Sequence, residues 1–141
     1  MPGKSFLDTN IWIYAAAGRL SERDKYVAAS ALIEKETFAV SPQIVGEFWV
    51  NVRSTKKMKR PLDIDEASFW VDRMQAFPMI DATRETVAQT LLIERRFNLN
   101  FWDAAVVASA ERFGAATLYS EDFNHGQTYG SVRVVNPFRT N

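Results

Sequence analysis

Asp8, Glu47, Asp103 and Asp122 each stand where a short apolar run gives way to a helix or turn: Ser5-Phe6-Leu7-Asp8-Thr9-Asn10, Val45-Gly46-Glu47-Phe48-Trp49, Phe101-Trp102-Asp103-Ala104-Ala105 and Tyr119-Ser120-Glu121-Asp122. A carboxylate among bulky apolar neighbours is poorly solvated, and an isolated buried charge is costly unless it is paired or bound to a metal. No matching set of buried-looking Lys or Arg accompanies these acids. They are therefore expected to converge on one divalent-cation site, because crowded acids repel one another and gain from a cation. Two Mg²⁺ ions roughly 3.5–4 Å apart can activate a water and stabilise the leaving oxygen of a phosphodiester, so metal-dependent phosphodiester cleavage is the chemistry expected. Thr9, Asn10 and Ser120 lie beside these acids and offer hydroxyl or amide groups to a carboxylate, a water or a phosphate oxygen.

The elements that must position these groups alternate along the chain. Lys4 to Leu7 reads as a first strand ending at Asp8, and Ser21 with Asp24 reads as a capping box opening a helix. Thr37 to Val40 reads as a second strand, after which Ser41-Pro42 supplies an N-cap and a first-turn proline for a helix to about Arg53. Thr55 to Pro61 is a basic connector, and Asp63 with Glu66 caps a helix reaching about Phe77. Met79 to Asp81 reads as a short strand, Thr83 to about Phe97 as a helix, and Asn100 to Gly114 as another with a glycine C-cap. Ala115 to Tyr119 and Val132 to Val135 complete the strands. Such alternation favours a mainly parallel sheet covered by helices on both faces. Ligands of such sheets bind outside the carboxyl ends of the strands. Asp8 and Asp122 fall just past strand ends, and Glu47 and Asp103 lie early in helices, so all four can share one sheet edge.

The 141 residues are read as one domain, 1–141, long enough for a substantial core. Basic and acidic residues number 17 each, so any polyanion must be held by local patches rather than by the overall field. Cysteine is absent, which excludes thiolate zinc sites, disulfides and cysteine nucleophiles. His125 is the one histidine, so no site has two His ligands. Oxygen must hold any metal, which favours Mg²⁺ or Mn²⁺. Met1-Pro2-Gly3-Lys4 shows no signal-peptide apolar region and no run approaches membrane-spanning length, so a cytoplasmic protein without membrane association is expected.

Blander roles exist for each acid. Asp8 could cap a helix starting at Asn10, Glu47 could be an exposed helical residue, and Asp103 could be a first-turn acid complementing the helix dipole. Asp122 could be a turn residue, and Glu121 competes with it. The basic cluster Arg53, Lys56, Lys57, Lys59 and Arg60 fits phosphate contacts about as well as a solvated connector. Core packing is the default for Trp12, Trp49 and Trp102, and also for Trp70 with its neighbours Phe69 and Phe77. A loop role without chemistry is the default for His125.

Phe6-Leu7-Asp8-Thr9-Asn10, the glutamate after Ser41-Pro42, Asn100-Phe101-Trp102-Asp103-Ala104-Ala105 and Ser120-Glu121-Asp122-Phe123 together resemble the four acidic motifs of PIN-domain nucleases. Asn136-Pro137-Phe138 resembles the ending of many VapC-type toxins. The resemblance spans essentially the whole chain in order and spacing. It implies a PIN-like three-layer α/β/α sandwich and Mg²⁺- or Mn²⁺-dependent endoribonuclease activity. By the same resemblance Asp8, Glu47, Asp103 and Asp122 are the metal ligands, and Thr9 and Ser120 the hydroxyls beside them. It further implies an RNA substrate, a separate VapB-like antitoxin chain and a homodimer, with Trp70, Phe69 and Phe77 a conceivable groove for the antitoxin. Two rivals stand beside it. One is a haloacid-dehalogenase-like phosphatase with Asp8 as nucleophile, although Asn10 stands where its second acid belongs. The other is a non-catalytic module that binds RNA or protein.

Overall fold

β1 (Lys4–Leu7) buries Phe6 and Leu7 completely and runs straight into α1 (Thr9–Ala17). The computed structural model describes residues 3–139; Met1 and Pro2 of the N-terminal segment lie outside them. The chain continues through α2 (Arg23–Lys35), β2 (Thr37–Ala39), α3 (Pro42–Val52), α4 (Ile64–Gln75), α5 (Arg84–Phe97) and α6 (Phe101–Phe113). It closes with β3 (Thr117–Tyr119), β4 (Thr128–Tyr129) and β5 (Val132–Val135). The five strands form one sheet in the order β2-β1-β3-β5-β4, parallel except for β4, which pairs antiparallel with β5. Helices cover this sheet to give the expected α/β/α sandwich, with α1 packed on α2 and α3, α3 on α4, and α5 on α6.

After β1 the chain moves to β2 on one side and later returns to β3 on the other. The two connections diverge beside β1, and this is the point where open parallel sheets form a crevice. Asp8 leaves β1 and Ser120 leaves β3 at that crevice, and the Asp8 amide donates to the Tyr119 carbonyl at 3.0 Å. A helix that precedes a parallel strand runs back across the sheet, so the first turn of α6 also faces this edge.

Local sequence explains most boundaries. Ser41 accepts from the Ile44 amide with Pro42 in the first turn, Asp63 and Glu66 form a reciprocal capping box, and Asn100 accepts from the Asp103 amide. Gly114 ends α6 in the left-handed region at φ 78°. Two expectations fail, and one strand is unforeseen. The Ser21–Asp24 capping box does not form, because Glu22 occupies the N-cap without a side-chain bond. Met79 makes only a single parallel bridge to Val40 instead of a strand. β4 was not anticipated, since two residues held by one hairpin leave no periodic signal.

Gly130 in the β4–β5 turn has φ 61°, and a Cβ there would sit 2.5 Å from the Glu111 carboxylate. That carboxylate cannot readily move, because it accepts from the Ser131 amide (2.9 Å), the Ser131 hydroxyl (2.8 Å) and the Gln89 amide (2.8 Å). Burial pushes the Glu111 carboxyl up, but these donors outweigh it and leave it below its ordinary value. Gly130→Ala is expected to lower the unfolding free energy by about 1–3 kcal/mol, measured by urea denaturation. Unchanged stability would show that the turn relaxes freely.

Candidate metal centre

Asp8 is both the N-cap of α1 and the centre of the site. Its side chain is 6 % exposed, with Oδ1 accepting from the Thr9 amide at 2.8 Å and Oδ2 from the Ser120 hydroxyl at 2.7 Å. Burial drives its pKa up to about 7, the two donors pull it back, and the charges of Asp122 and Glu47 add to the rise. The same geometry that caps α1 leaves Asp8 a poorly solvated, hydrogen-bonded carboxyl.

Glu47 and Asp122 reach it through Thr9, Ser120 and Asn10, whereas Asp103 is coupled by charge to Asp122. Glu47 accepts from the Thr9 hydroxyl at 2.8 Å. It is the sixth residue of α3 rather than an early one, and it is half-buried. Asp103 takes the amide donor of Asn100 at 2.8 Å, and burial followed by the Asp122 charge raises its pKa above the ordinary value despite that bond. Asp122 is exposed and accepts from the Asn10 amide at 3.1 Å, while its backbone amide donates to Ser120 Oγ at 3.1 Å. Ser120 is fully buried and joins Asp8 to the Asp122 loop.

Every one of the four carboxylates is therefore held by a neutral donor, and among the described residues none makes an ion pair. Glu121, next to Asp122, behaves in the opposite way. Lys25 binds it at 3.2 Å and Tyr14 donates to it at 2.6 Å, so its charge is already matched. This contrast separates the two competing acids of the Ser120-Glu121-Asp122 motif. Lys25 and Tyr14 lie about a hundred residues away in sequence, which is why no local signal could do so.

As they stand, no three Asp, Glu or His side chains among the described residues form a ready cage for an ion. Thr9, Ser120 and Asn10 hold Asp8, Glu47 and Asp122 one side chain apart, as mutual repulsion requires, and Asn100 holds Asp103. The donor set nevertheless suits a hard cation: it consists of carboxylate oxygens, it lacks a balancing charge, and Asn10 Oδ1 is a buried acceptor without a partner.

A cleft of about 920 Å³ is lined by Asn10, Tyr14 and Glu121 together with Lys57, Lys59 and Arg60. All five members of the basic cluster are exposed, and these three reach the cleft. His125 accepts from the Asn136 amide through Nδ1 at 3.0 Å and makes no hydrogen bond to the acids. Trp12 is buried in the core, and Trp49 and Trp70 are partly buried with Arg53 and Arg73 stacked on them at 4.6 Å each. Trp102 departs from the core expectation. Its position in the first turn of α6 leaves it 61 % exposed, and Phe69 is exposed as well.

Residues 5–130 match the family model described as PIN domain. No curated protein sequence matches the chain. Among solved structures, a toxin–antitoxin complex from Klebsiella pneumoniae is similar at 19 % identity over 97 % of this chain and 100 % of that one, with a TM-score of 0.70. VapC20 of Mycobacterium tuberculosis, a toxin that cleaves the sarcin–ricin loop, is similar at 16 % identity over 86 % and 92 %, with a TM-score of 0.66. VapBC2 of Rickettsia felis, bound to a promoter DNA fragment, is similar at 18 % identity over 92 % and 96 %, with a TM-score of 0.64. At these identities the likeness concerns the fold.

Proposed function

The chain belongs to the PIN-domain family, and from that premise we propose that it is a divalent-metal-dependent endoribonuclease, the toxin half of a VapBC-type pair. One observation carries the reading: Asp8, Glu47 and Asp122 meet through Thr9, Ser120 and Asn10, Asp103 is coupled by charge to Asp122, and among the described residues no Lys or Arg pairs with any of the four. A purely structural cluster of this kind would be self-repelling without gain. Asp8, Glu47, Asp103 and Asp122 would hold Mg²⁺ or Mn²⁺. When bound, such an ion supplies Lewis acidity toward the phosphodiester and lowers the pKa of the attacking water.

The chain's own groups do the positioning. Thr9 ties Asp8 to Glu47, since its amide serves one and its hydroxyl the other. Ser120 fixes the Asp8 carboxylate plane, and Asn10 restrains Asp122. Lys57, Lys59 and Arg60 along the cleft would take the phosphates flanking the cut, with binding weakened by salt. The phosphatase alternative loses support, because the Asn10 amide donates to Asp122 and provides no second acid. An antitoxin partner and a homodimer remain part of the proposal, and among the described residues no helix is long and apolar enough to cross a membrane.

The purified protein is expected to cleave RNA internally with Mn²⁺ or Mg²⁺ and to stop when EDTA is added. Cleavage that persists in EDTA would remove the metal from the proposal, and cleavage of DNA alone would remove the substrate.

A further inference from the structure

We propose that Trp102 forms a subsite for a single nucleobase beside the scissile phosphate, an inference that rests on the nuclease reading above. An indole 61 % exposed is unusual in a chain whose other tryptophans are wholly or partly buried. Its place is equally specific. It precedes Asp103 in α6 and borders a pocket of about 270 Å³ whose other walls are Pro42, Gln43, Gly46 and Glu47. Two walls of this small pocket thus adjoin or belong to the acidic set.

Three features suit the pocket to a flat ring. Its volume falls below the roughly 300 Å³ at which drug-sized sites begin, so it has room for one ring system. Gly46 adds no side chain to the floor, where a Cβ would meet nothing within 4 Å. Phe101 of the same helix stands edge-on to the indole at 5.0 Å, and Gln43 of α3 donates to the Trp102 backbone carbonyl at 3.1 Å, which ties this turn to α3. The Glu47 carboxylate and the Gln43 side chain supply polar atoms at the rim. A protein partner would need roughly 800 Å² on each side, whereas a base needs one aromatic face, and stacking on such a face is tolerant of base identity.

The test uses a short fluorescein-labelled single-stranded RNA that the wild-type protein cleaves, with single abasic positions scanned along it. One abasic position next to the cut is expected to lower kcat/KM about tenfold or more in the wild type. Trp102→Ala should lose a similar factor on intact RNA and become insensitive to that abasic position, and Trp102→Phe should keep most of the rate. Gly46→Leu, which fills the pocket from the other helix where space is open, should reproduce the Trp102→Ala profile. An unaltered abasic profile in Trp102→Ala would overturn the subsite alone, as would a change of oligomeric state, which would make Trp102 a contact between copies. Failure of the wild type to cleave any RNA would overturn the nuclease reading and the subsite with it.

Discussion

Asp8→Asn is expected to reduce metal-dependent RNA cleavage a hundredfold or more while making the metal-free protein more stable. The two effects share one cause. Asp8 is buried, held by Ser120 and Thr9 and repelled by Asp122 and Glu47, so its charge burdens the fold unless a cation is present. Asparagine keeps an acceptor for the Thr9 amide and is as good an N-cap as aspartate. The Ser120 hydroxyl can rotate to accept from the new amide. What disappears is the anionic oxygen, and since loss of a mere outer-sphere partner lowers metal affinity or activity 10–100-fold, loss of a ligand should do more. Were Asp8 only a cap, the variant would cleave like the wild type. Cleavage assays paired with thermal denaturation in EDTA separate these cases, and wild-type cleavage by Asp8→Asn would remove it from the chemistry.

The metal-free protein should also lose stability as pH rises through the weakly acidic range. Asp8 has a folded pKa of about 7 against an ordinary value of 3.8. Between those values the folded chain keeps a proton that the unfolded chain has released. Stability then falls with rising pH, since the native state binds more protons. At about 1.4 kcal/mol per unit over about three units, the loss is on the order of 4 kcal/mol by pH 7 and levels off above it. The raised pKa of Asp103 acts in the same direction. Saturating Mn²⁺ should reverse the trend, because its ligands must be deprotonated and bound metal stabilises only the folded state. Denaturant titrations from pH 5 to 8 in EDTA and in Mn²⁺ would show it. A metal-free curve that rises across this range would mean that Asp8 ionises normally.

Two of the proposed acids stand in local signals that the fold reproduces. Asp8 follows a short apolar strand, and Asp103 lies three residues after the Asn100 cap and ahead of a buried apolar run. Ser41-Pro42 and Gly114 marked helix ends for equally local reasons. α1 was harder to read. Thr9, Asn10, Ile11 and Trp12 are all buried, so the helix shows no polar face to set a period. That Glu121 is paired while Asp122 is not depends on Lys25 and Tyr14, which meet that loop only in three dimensions. The same limit applies to Trp102. It lies in an apolar segment between Phe101 and the run from Ala104, yet its place in the first turn of α6 leaves it solvent-facing.

β1 pairs with β3 across more than a hundred residues, and Asp8 finds its hydroxyl donor only at Ser120. A nascent chain still tethered to the ribosome before Thr117 has left the exit tunnel has no neighbour for that flank of β1 and no way to orient the first carboxylate. Translation therefore delays this pairing until the residues through Ser120 have emerged. Shorter nascent lengths carry Asp8 and Glu47 without Asp103, Asp122 or the Ser120 hydroxyl, so the arrangement waits on synthesis of β3 and the loop after it.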